Sequence, residues 1–311
     1  MQDDRRPMDG SRARRRSHGR KRTSRSGCPV STDRPVLIIG GSGYLGGRIV
    51  DALPGALALS DVAARGHTAL RAAVEDLRPE VIVNAAGALR GDLADLKAAN
   101  VDLPRQLAQI SDFVGAHLVH LGSAAEYGTS QPNGWCTEAA EPRPESDYGR
   151  TKLQGTLAAA SACSSTVLRV FNLAAEPTQS GTPLEDVITR TSDALNRQSP
   201  ANLWSPGTIR DWVLPAFVIH SVARAVEIRP RGVFNVCSGV GVSFGDAVDS
   251  ALRSLGSDLG VRAGRPPGGP VIGDPQQWES VSGLAEQVTT EVLAGVIARQ
   301  ASSRRPKMET R

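Results

Sequence analysis

The sequence predicts an α/β fold, a doubly wound parallel sheet with a smaller carboxy-terminal lobe, and three observations carry that prediction. Short apolar runs alternate with longer stretches of helical periodicity from Pro35 to Val170. The first run, Val36-Leu37-Ile38-Ile39, is apolar at consecutive residues rather than at every second one, as in a strand covered on both faces. The first of them ends in a glycine cluster that opens a helix, which is how a βαβ unit of an open parallel sheet begins.

Taken in order, Val36-Leu37-Ile38-Ile39 is the first buried strand and a helix follows through Leu53. A short apolar run at Ala56–Leu59, a helix at Thr68–Leu77, a strand at Val81–Val83, a long helix at Leu93–Val114 and a strand at Leu118–Leu121 continue the alternation. The polar, proline-rich stretch Thr129–Glu145 is a loop, Tyr148–Ala162 a helix and Thr166–Val170 another inner strand. Beyond Ala175 the rhythm loosens. Helices are expected at Leu184–Asn196, Pro215–Ile228, Phe244–Leu255 and Ala285–Ala298, a strand at Val233–Val236, and a loop at Pro266-Pro267-Gly268-Gly269-Pro270. The implied division is a basic arm over 1–32, a sheet domain over 33–175, a lobe over 176–300 that returns one or two segments to the sheet, and a flexible tail over 301–311.

Composition narrows the function classes. Hydrophobic residues make up 40% and charged residues 22% of the chain, ordinary for a globular protein, and no apolar run approaches the roughly 20 residues that span a bilayer. A soluble, non-membrane protein is expected. The formal net charge of +4 is local: residues 1–26 hold ten Lys or Arg against three Asp, so the body is slightly acidic and no nucleic-acid partner is predicted. That arm is too polar to offset its ordering entropy, so disorder is expected there, and it lacks the apolar core of a secretory signal. Cys28, Cys136, Cys163 and Cys237 form no CxxC pair, which suggests neither a zinc site nor a disulfide framework and fits a reducing cytoplasm. His117 and His120 fall on opposite faces of their strand, so no metal site is predicted.

Two motifs carry chemistry. Gly40, Gly43 and Gly46 stand in Gly40-Gly41-Ser42-Gly43-Tyr44-Leu45-Gly46, between a strand and a helix. Glycine permits the tight turn and close backbone approach, and the helix start offers free N–H groups and a positive dipole to a pyrophosphate, so a dinucleotide is the expected ligand. Tyr148 and Lys152 are four residues apart on a helix and share one face. An ammonium beside a phenol is expected to lower its pKa from about 10 and make it a usable proton shuttle. Ser123 follows the Leu118–Leu121 strand, at the sheet end where ligands bind, and its hydroxyl is placed to bond a reacting oxygen.

The G-x-x-G-x-x-G spacing resembles that of the extended short-chain dehydrogenase/reductase family, whose members are Rossmann-fold enzymes acting largely on nucleotide sugars. Further motifs occur in the family's order. Asn84-Ala85-Ala86-Gly87 resembles the segment lining the nicotinamide side, and Asn100-Val101 matches the asparagine of the next helix. Ser123-Ala124-Ala125-Glu126-Tyr127-Gly128 resembles the serine motif, and Tyr148-Gly149-Arg150-Thr151-Lys152 the Y-x-x-x-K motif. Leu168-Arg169-Val170-Phe171-Asn172, Arg210-Asp211-Trp212-Val213 and Phe234-Asn235-Val236-Cys237-Ser238-Gly239 are similar to segments that receive the sugar nucleotide. The resemblance implies a catalytic set of Ser123, Tyr148 and Lys152. It implies cofactor contacts at Gly40, Gly43, Tyr44, Leu45, Gly46, Asn84, Ala85, Ala86, Asn100, Tyr148 and Lys152. Substrate contacts are implied at Ala124, Asn172 and Arg210, the last either on a diphosphate or in an ion pair with Asp211. A homodimer paired through the Asn100 and Tyr148 helices is also implied.

Departures from the family pattern narrow the reaction. The dehydratases carry an acid and a base where this chain has Ala124 and Ala125, and a methyl group transfers no proton. Glu126 is displaced by one position and, on an extended segment, points to the opposite side, as a solvated or hydrogen-bonded loop carboxylate. The Cys and His pair of the reductase that makes GDP-linked fucose has no counterpart, since Cys136 falls in the Thr129–Glu145 loop. Asp61 either holds the cofactor ribose or, as Asp61-Val62, resembles the pair at the adenine. The second option leaves Arg48 or Arg65 for a 2′-phosphate, so the cofactor is NADP or NAD with NADPH slightly favoured. The leading expectation is reduction of the C4 keto group of a dTDP- or GDP-linked 4-keto-6-deoxyhexose. A C4 epimerase using the same residues is the alternative, and a non-catalytic NAD(P)-sensing regulator a further one.

Overall fold

A computed structural model describes residues 34–304 except positions 61 and 130, and except the side chains of 62–65, 67 and 133. The expectations for the arm 1–32, for most of the tail, and for Asp61, Val62 and Arg65 therefore lie outside what is described. The chain runs β1 (Val36–Ile39), α1 (Tyr44–Ala52), β2 (Leu57–Leu59), α2 (Val62–Leu77), β3 (Val81–Asn84), α3 (Leu93–Lys97), α4 (Leu103–Val114), β4 (His117–Ser123) and β5 (Trp135–Cys136). It continues through α5 (Asp147–Ala160), β6 (Ser165–Val170), β7 (Asn172–Leu173), α6 (Pro183–Arg197), β8 (Ile209–Val213), α7 (Pro215–Ile228) and β9 (Gly232–Val236). Last come β10 (Gly241–Ser243), α8 (Phe244–Ser254), β11 (Ile272–Gly273), α9 (Gln276–Ser282) and α10 (Thr290–Ser303).

Six strands form a parallel sheet in the order β2-β1-β3-β4-β6-β9, so β9 brings a segment of the carboxy-terminal half into it. The direction of growth reverses between β1 and β3, the topological switch point at which open α/β sheets bind ligands. Leu37, Ile39, Ile82, Leu118 and Val167 are buried on one face against Leu70 of α2 and Leu107 and Ile110 of α4. Ile38, Val83, Val119, Leu168 and Phe234 are buried on the other against Val218 and Val222 of α7. Cover on both faces is why Val36-Leu37-Ile38-Ile39 of β1 and Val81-Ile82-Val83 of β3 read as unbroken apolar runs. A third core joins α6, α8 and α10 through Ile188, Leu195, Val248, Leu252, Leu293 and Ile297.

Several details differ from the sequence reading, and three of them can be traced to particular residues. The long helix of Leu93–Val114 is broken by a π-helical turn at Ala98–Asp102, which carries Asn100. The last helix starts at Thr290, not Ala285, because Glu286 is used elsewhere: its carboxylate accepts the Leu214 N–H at 2.9 Å at the start of α7. The Thr129–Glu145 loop contains β5, which pairs in parallel with β11.

His117 is buried at the start of β4, with its ring nitrogens 2.9 Å from Ser164 Oγ and 2.8 Å from Thr166 Oγ1. Burial, with Arg229 and Arg231 adding to it, pushes its pKa from 6.5 down to about 4. A histidine kept neutral in the fold contributes stability that is complete above pH 6.5 and lost as the pH falls through 4. His117→Gln lacks that loss, so the stability gap between wild type and variant should shrink on going from pH 7 to pH 4 by up to about 3 kcal/mol. Urea unfolding at the two pH values measures it, and a gap of constant size would contradict the assignment.

Candidate active site

A cavity of about 550 Å³ opens at the carboxyl ends of β1, β3, β4 and β6. Gly43 of the glycine turn lines one end, Ser123, Tyr148 and Lys152 the middle, and Asn172, Arg210 and Val271 the opposite wall.

The glycine turn is built by close approach. Gly40 adopts φ +83°, and a Cβ there would stand 2.7 Å from the Ala86 backbone, while a Cβ at Gly46 would stand 2.0 Å from Gly40 O. Gly43 caps α1 without a side-chain hydrogen bond, and the first turn of α1 holds no acidic residue. Its N–H groups and dipole are therefore left for an anion. A cradle that side chains would fill, opening on a free helix start, fits the pyrophosphate of a dinucleotide. Tyr44, Leu45, Ala85 and Ala86 line the adjoining wall. Arg48 instead folds back, its guanidinium 3.8 Å from the centre of the Tyr44 ring and bonded to Tyr44 O at 2.9 Å.

Two asparagines shape this end. Asn84 is fully buried behind the cavity wall, where its Oδ1 accepts the Ala86 N–H at 3.2 Å and its Nδ2 lies 3.1 Å from His120 Nδ1. Asn100 faces the cavity and clamps Ala88, accepting its N–H at 2.9 Å and donating to its carbonyl at 2.8 Å, and it also donates to Thr151 Oγ1 on α5 at 3.2 Å.

Ser123 ends β4 and caps one 3-10 turn, Ala124–Glu126, its Oγ accepting the Ala125 N–H at 3.2 Å. Ser146 caps α5 by accepting the Gly149 N–H at 3.0 Å, which fixes where Tyr148 leaves the helix. Gly155 lets α5 lie against the π turn, since a Cβ there would meet Asn100 O at 2.0 Å. Tyr148 and Lys152 thus reach the same stretch of cavity as Ser123.

The electrostatics correct one expectation. Burial raises the Tyr148 pKa, the Ser123 side chain opposes the rise, and Glu126 adds to it. Lys152 is buried, donates to Leu121 O at 2.6 Å, and has its own pKa pushed down to about 8, with Glu126 opposing that shift. Desolvation outweighs the pairing on which the spacing argument rested.

On the far wall, Asn172 donates to Asp211 O at 2.9 Å, and Arg210 Nη1 donates to Ile209 O at 2.7 Å and Gly269 O at 3.0 Å. Arg210 forms no ion pair with Asp211. Asp211 is fully buried and accepts the N–H groups of Ser238, Gly239 and Gly273 at 2.9, 2.9 and 3.1 Å, plus the Ser238 hydroxyl at 2.8 Å. Burial still raises its pKa to about 6. Glu126 does not line the cavity, as its expected direction requires, but a 3-10 turn replaces the extended segment and buries it fully, 2.8 Å from Arg169, as a hydrogen-bonded rather than a solvated carboxylate.

The family model described as "NAD dependent epimerase/dehydratase family" matches residues 36–237. The chain belongs to that family. It is an NAD(P)-dependent enzyme of the extended short-chain dehydrogenase/reductase type. Over 286 residues, 81% of this epimerase/dehydratase chain and 88% of the relative, it is 26% identical to dTDP-6-deoxy-L-talose 4-dehydrogenase (NAD(P)(+)) of Kitasatospora kifunensis. A 95-residue stretch, 29% of this chain and 28% of the relative, is 33% identical to methionine adenosyltransferase 2 subunit beta of Xenopus laevis. The fold is similar to that of Bordetella bronchiseptica WbmG in complex with NAD and UDP, with TM-score 0.73 and 20% identity over 86% of this chain and 94% of that one. It is also similar to Thermus thermophilus UDP-glucose 4-epimerase complexed with NAD, with TM-score 0.70 and 18% identity over 87% of this chain and 99% of that one. Among the described residues no helix of this family member is long and apolar enough to cross a membrane.

Proposed function

We propose that this chain reduces the C4 keto group of a dTDP- or GDP-linked 4-keto-6-deoxyhexose, using NAD(P)H, in the cytoplasm. The observation that carries the reading is one cavity holding the glycine turn, Ser123, Tyr148 and Lys152, and Arg210, with Ala124 and Ala125 where an eliminating enzyme needs an acid and a base. The reduced nicotinamide, when bound, supplies the hydride. Tyr148 hands its phenolic proton to the sugar oxygen, which Ser123 holds, and Lys152 contacts the cofactor ribose while its charge assists the phenolate left behind. Arg210 and Asn172 hold the nucleotide diphosphate and sugar beside Ala124, and residues 176–300 serve as the substrate lobe. The relative that acts as a 4-dehydrogenase on a dTDP-6-deoxy sugar supports this choice.

NADPH is the cofactor the sequence slightly favours, although Arg48, one of its two candidate phosphate ligands, is folded onto Tyr44. The second reading is an NAD-dependent C4 epimerase, favoured by the likeness to the Thermus epimerase. The sensor reading has against it that Tyr148 and Lys152 are both present and reach the cavity. Supplying a dTDP-4-keto-6-deoxyhexose with NADPH or NADH separates the three: a reductase consumes cofactor stoichiometrically, an epimerase interconverts NDP-hexoses without added cofactor, and a sensor does neither. Under reductase conditions Arg210→Met should raise KM about tenfold or more and leave kcat nearly intact, as loss of ground-state binding requires. A homodimer through α4 and α5 is expected, since both helices of one subunit would meet their copies about a two-fold axis. Light scattering giving a monomer mass at micromolar concentration would count against it.

A further inference from the structure

Behind the catalytic set lies a charged side chain for which the reaction as written has no use. Glu126 is completely buried. Its Oε1 accepts the Ser123 N–H and the Thr156 hydroxyl, each at 2.8 Å, and its Oε2 accepts Arg169 Nε at 2.8 Å. The three donors stand on three elements: the end of β4, α5 one turn beyond Lys152, and β6. Arg169, also buried, donates through Nη1 to the Tyr127 hydroxyl, which donates to Asn235 Oδ1 on β9. Gly122 makes the room, since a Cβ there would stand 2.9 Å from Glu126 Oε1 and 3.0 Å from Thr156 Oγ1. A buried ion pair is weak evidence for stability, because well-packed apolar residues often replace one without loss. Its place beside the reacting groups points to another role.

We propose that Glu126 is a positioning residue for Ser123, Tyr148 and Lys152. Its carboxylate ties the end of β4 to the helix carrying the tyrosine and lysine, and sets a fixed negative charge behind the Lys152 ammonium. The role rests on Tyr148 and Lys152 being the proton-transfer pair. Burial brings Lys152 to the edge of losing its proton, and Glu126 opposes that loss. The other ionisable groups around Lys152 are Tyr148 on its own helix, His120 on β4 and Arg169 behind Glu126 on β6, while the π turn presents the neutral Asn100. His120 is held neutral by burial and by Lys152 itself, so the negative charge in this group belongs to Glu126.

Glu126→Gln keeps the shape and removes the charge. In the wild type, turnover of a dTDP-4-keto-6-deoxyhexose should decline on the alkaline side as Lys152 deprotonates near pH 8. In Glu126→Gln that limb should move to lower pH by about one unit, and NADH affinity, read by fluorescence titration, should weaken at the same lower pH. Thr156→Val removes one hydrogen bond and no charge, so its rate should fall while the limb stays in place, which separates the charge from the packing. If Arg169 left unpaired prevents folding, Glu126→Gln combined with Arg169→Gln removes both charges and should displace the limb in the same direction by less, since Glu126 is the nearer charge to act on Lys152. A folded variant with its alkaline limb at the wild-type position overturns the proposal, provided Tyr148→Phe has lost turnover in the same assay. If Tyr148→Phe retains turnover, the assignment of the proton-transfer pair has failed instead.

Discussion

Tyr148→Phe is expected to lower turnover about 10³-fold while leaving cofactor affinity within a few fold of wild type. The substitution removes the phenolic oxygen and little else: the ring keeps its place at the start of α5, fixed by the Ser146 cap, and Lys152 keeps its bond to Leu121 O. An interaction needed mainly in the transition state shows in kcat and not in ground-state binding. Lys152→Met should differ, damaging both rate and cofactor affinity, since it removes the proposed ribose contact together with the charge. Ser123→Ala should retain part of the rate, because a single donor to the reacting oxygen contributes on the order of 2–4 kcal/mol. Single-turnover rates beside NADH titrations distinguish the three variants. Equal losses of rate and affinity in all of them would mean that the site had been disrupted rather than stripped of separate functions.

Gly46→Ala is expected to weaken dinucleotide binding about 100-fold or more and to lower the melting temperature by several degrees, because the strained turn is also part of the fold. The added carbon would stand 2.0 Å from Gly40 O, a backbone atom, so the turn must open and carry the start of α1 with it. Gly47→Ala is the control. Its carbon would meet Gly41 O at 3.3 Å, which small shifts relieve, and alanine favours a helix interior over glycine by about 1 kcal/mol. NADH affinity should survive in Gly47→Ala and collapse in Gly46→Ala. Retained affinity in Gly46→Ala would remove the reason for assigning the cradle to a pyrophosphate.

How far the sequence could be read depends on how each element is buried. Strands β1, β3, β4 and β6 are covered on both faces and so appear as runs such as Val36-Leu37-Ile38-Ile39. Strands β7, β10 and β11 have two or three residues, and β8 carries Arg210 and Asp211 in its middle, so none shows such a run. The π turn at Ala98–Asp102 leaves no trace in a pattern read at helical period, although it sets where Asn100 points. Strand alternation extended past Ser123 gives no account of the partners of Glu126, because the chain has already turned there. Three residues matter to the site in ways no spacing rule reports: Asp211, Glu126 and Arg169 each depend on partners brought together only by the fold. A charged residue inside an otherwise apolar strand, as in Leu168-Arg169-Val170, was the signal available for one of them.

The central claim, hydride delivery to C4 of a nucleotide-linked keto sugar, is tested most directly by following the hydride. The protein is incubated with a dTDP-4-keto-6-deoxyhexose and NADPH or NADH deuterated on the transferable position, and the sugar nucleotide is analysed by mass spectrometry. The expected product carries one deuterium at C4 for each cofactor oxidised. Recovery of unlabelled sugar with the cofactor still reduced, from both dTDP- and GDP-linked substrates, would contradict the account.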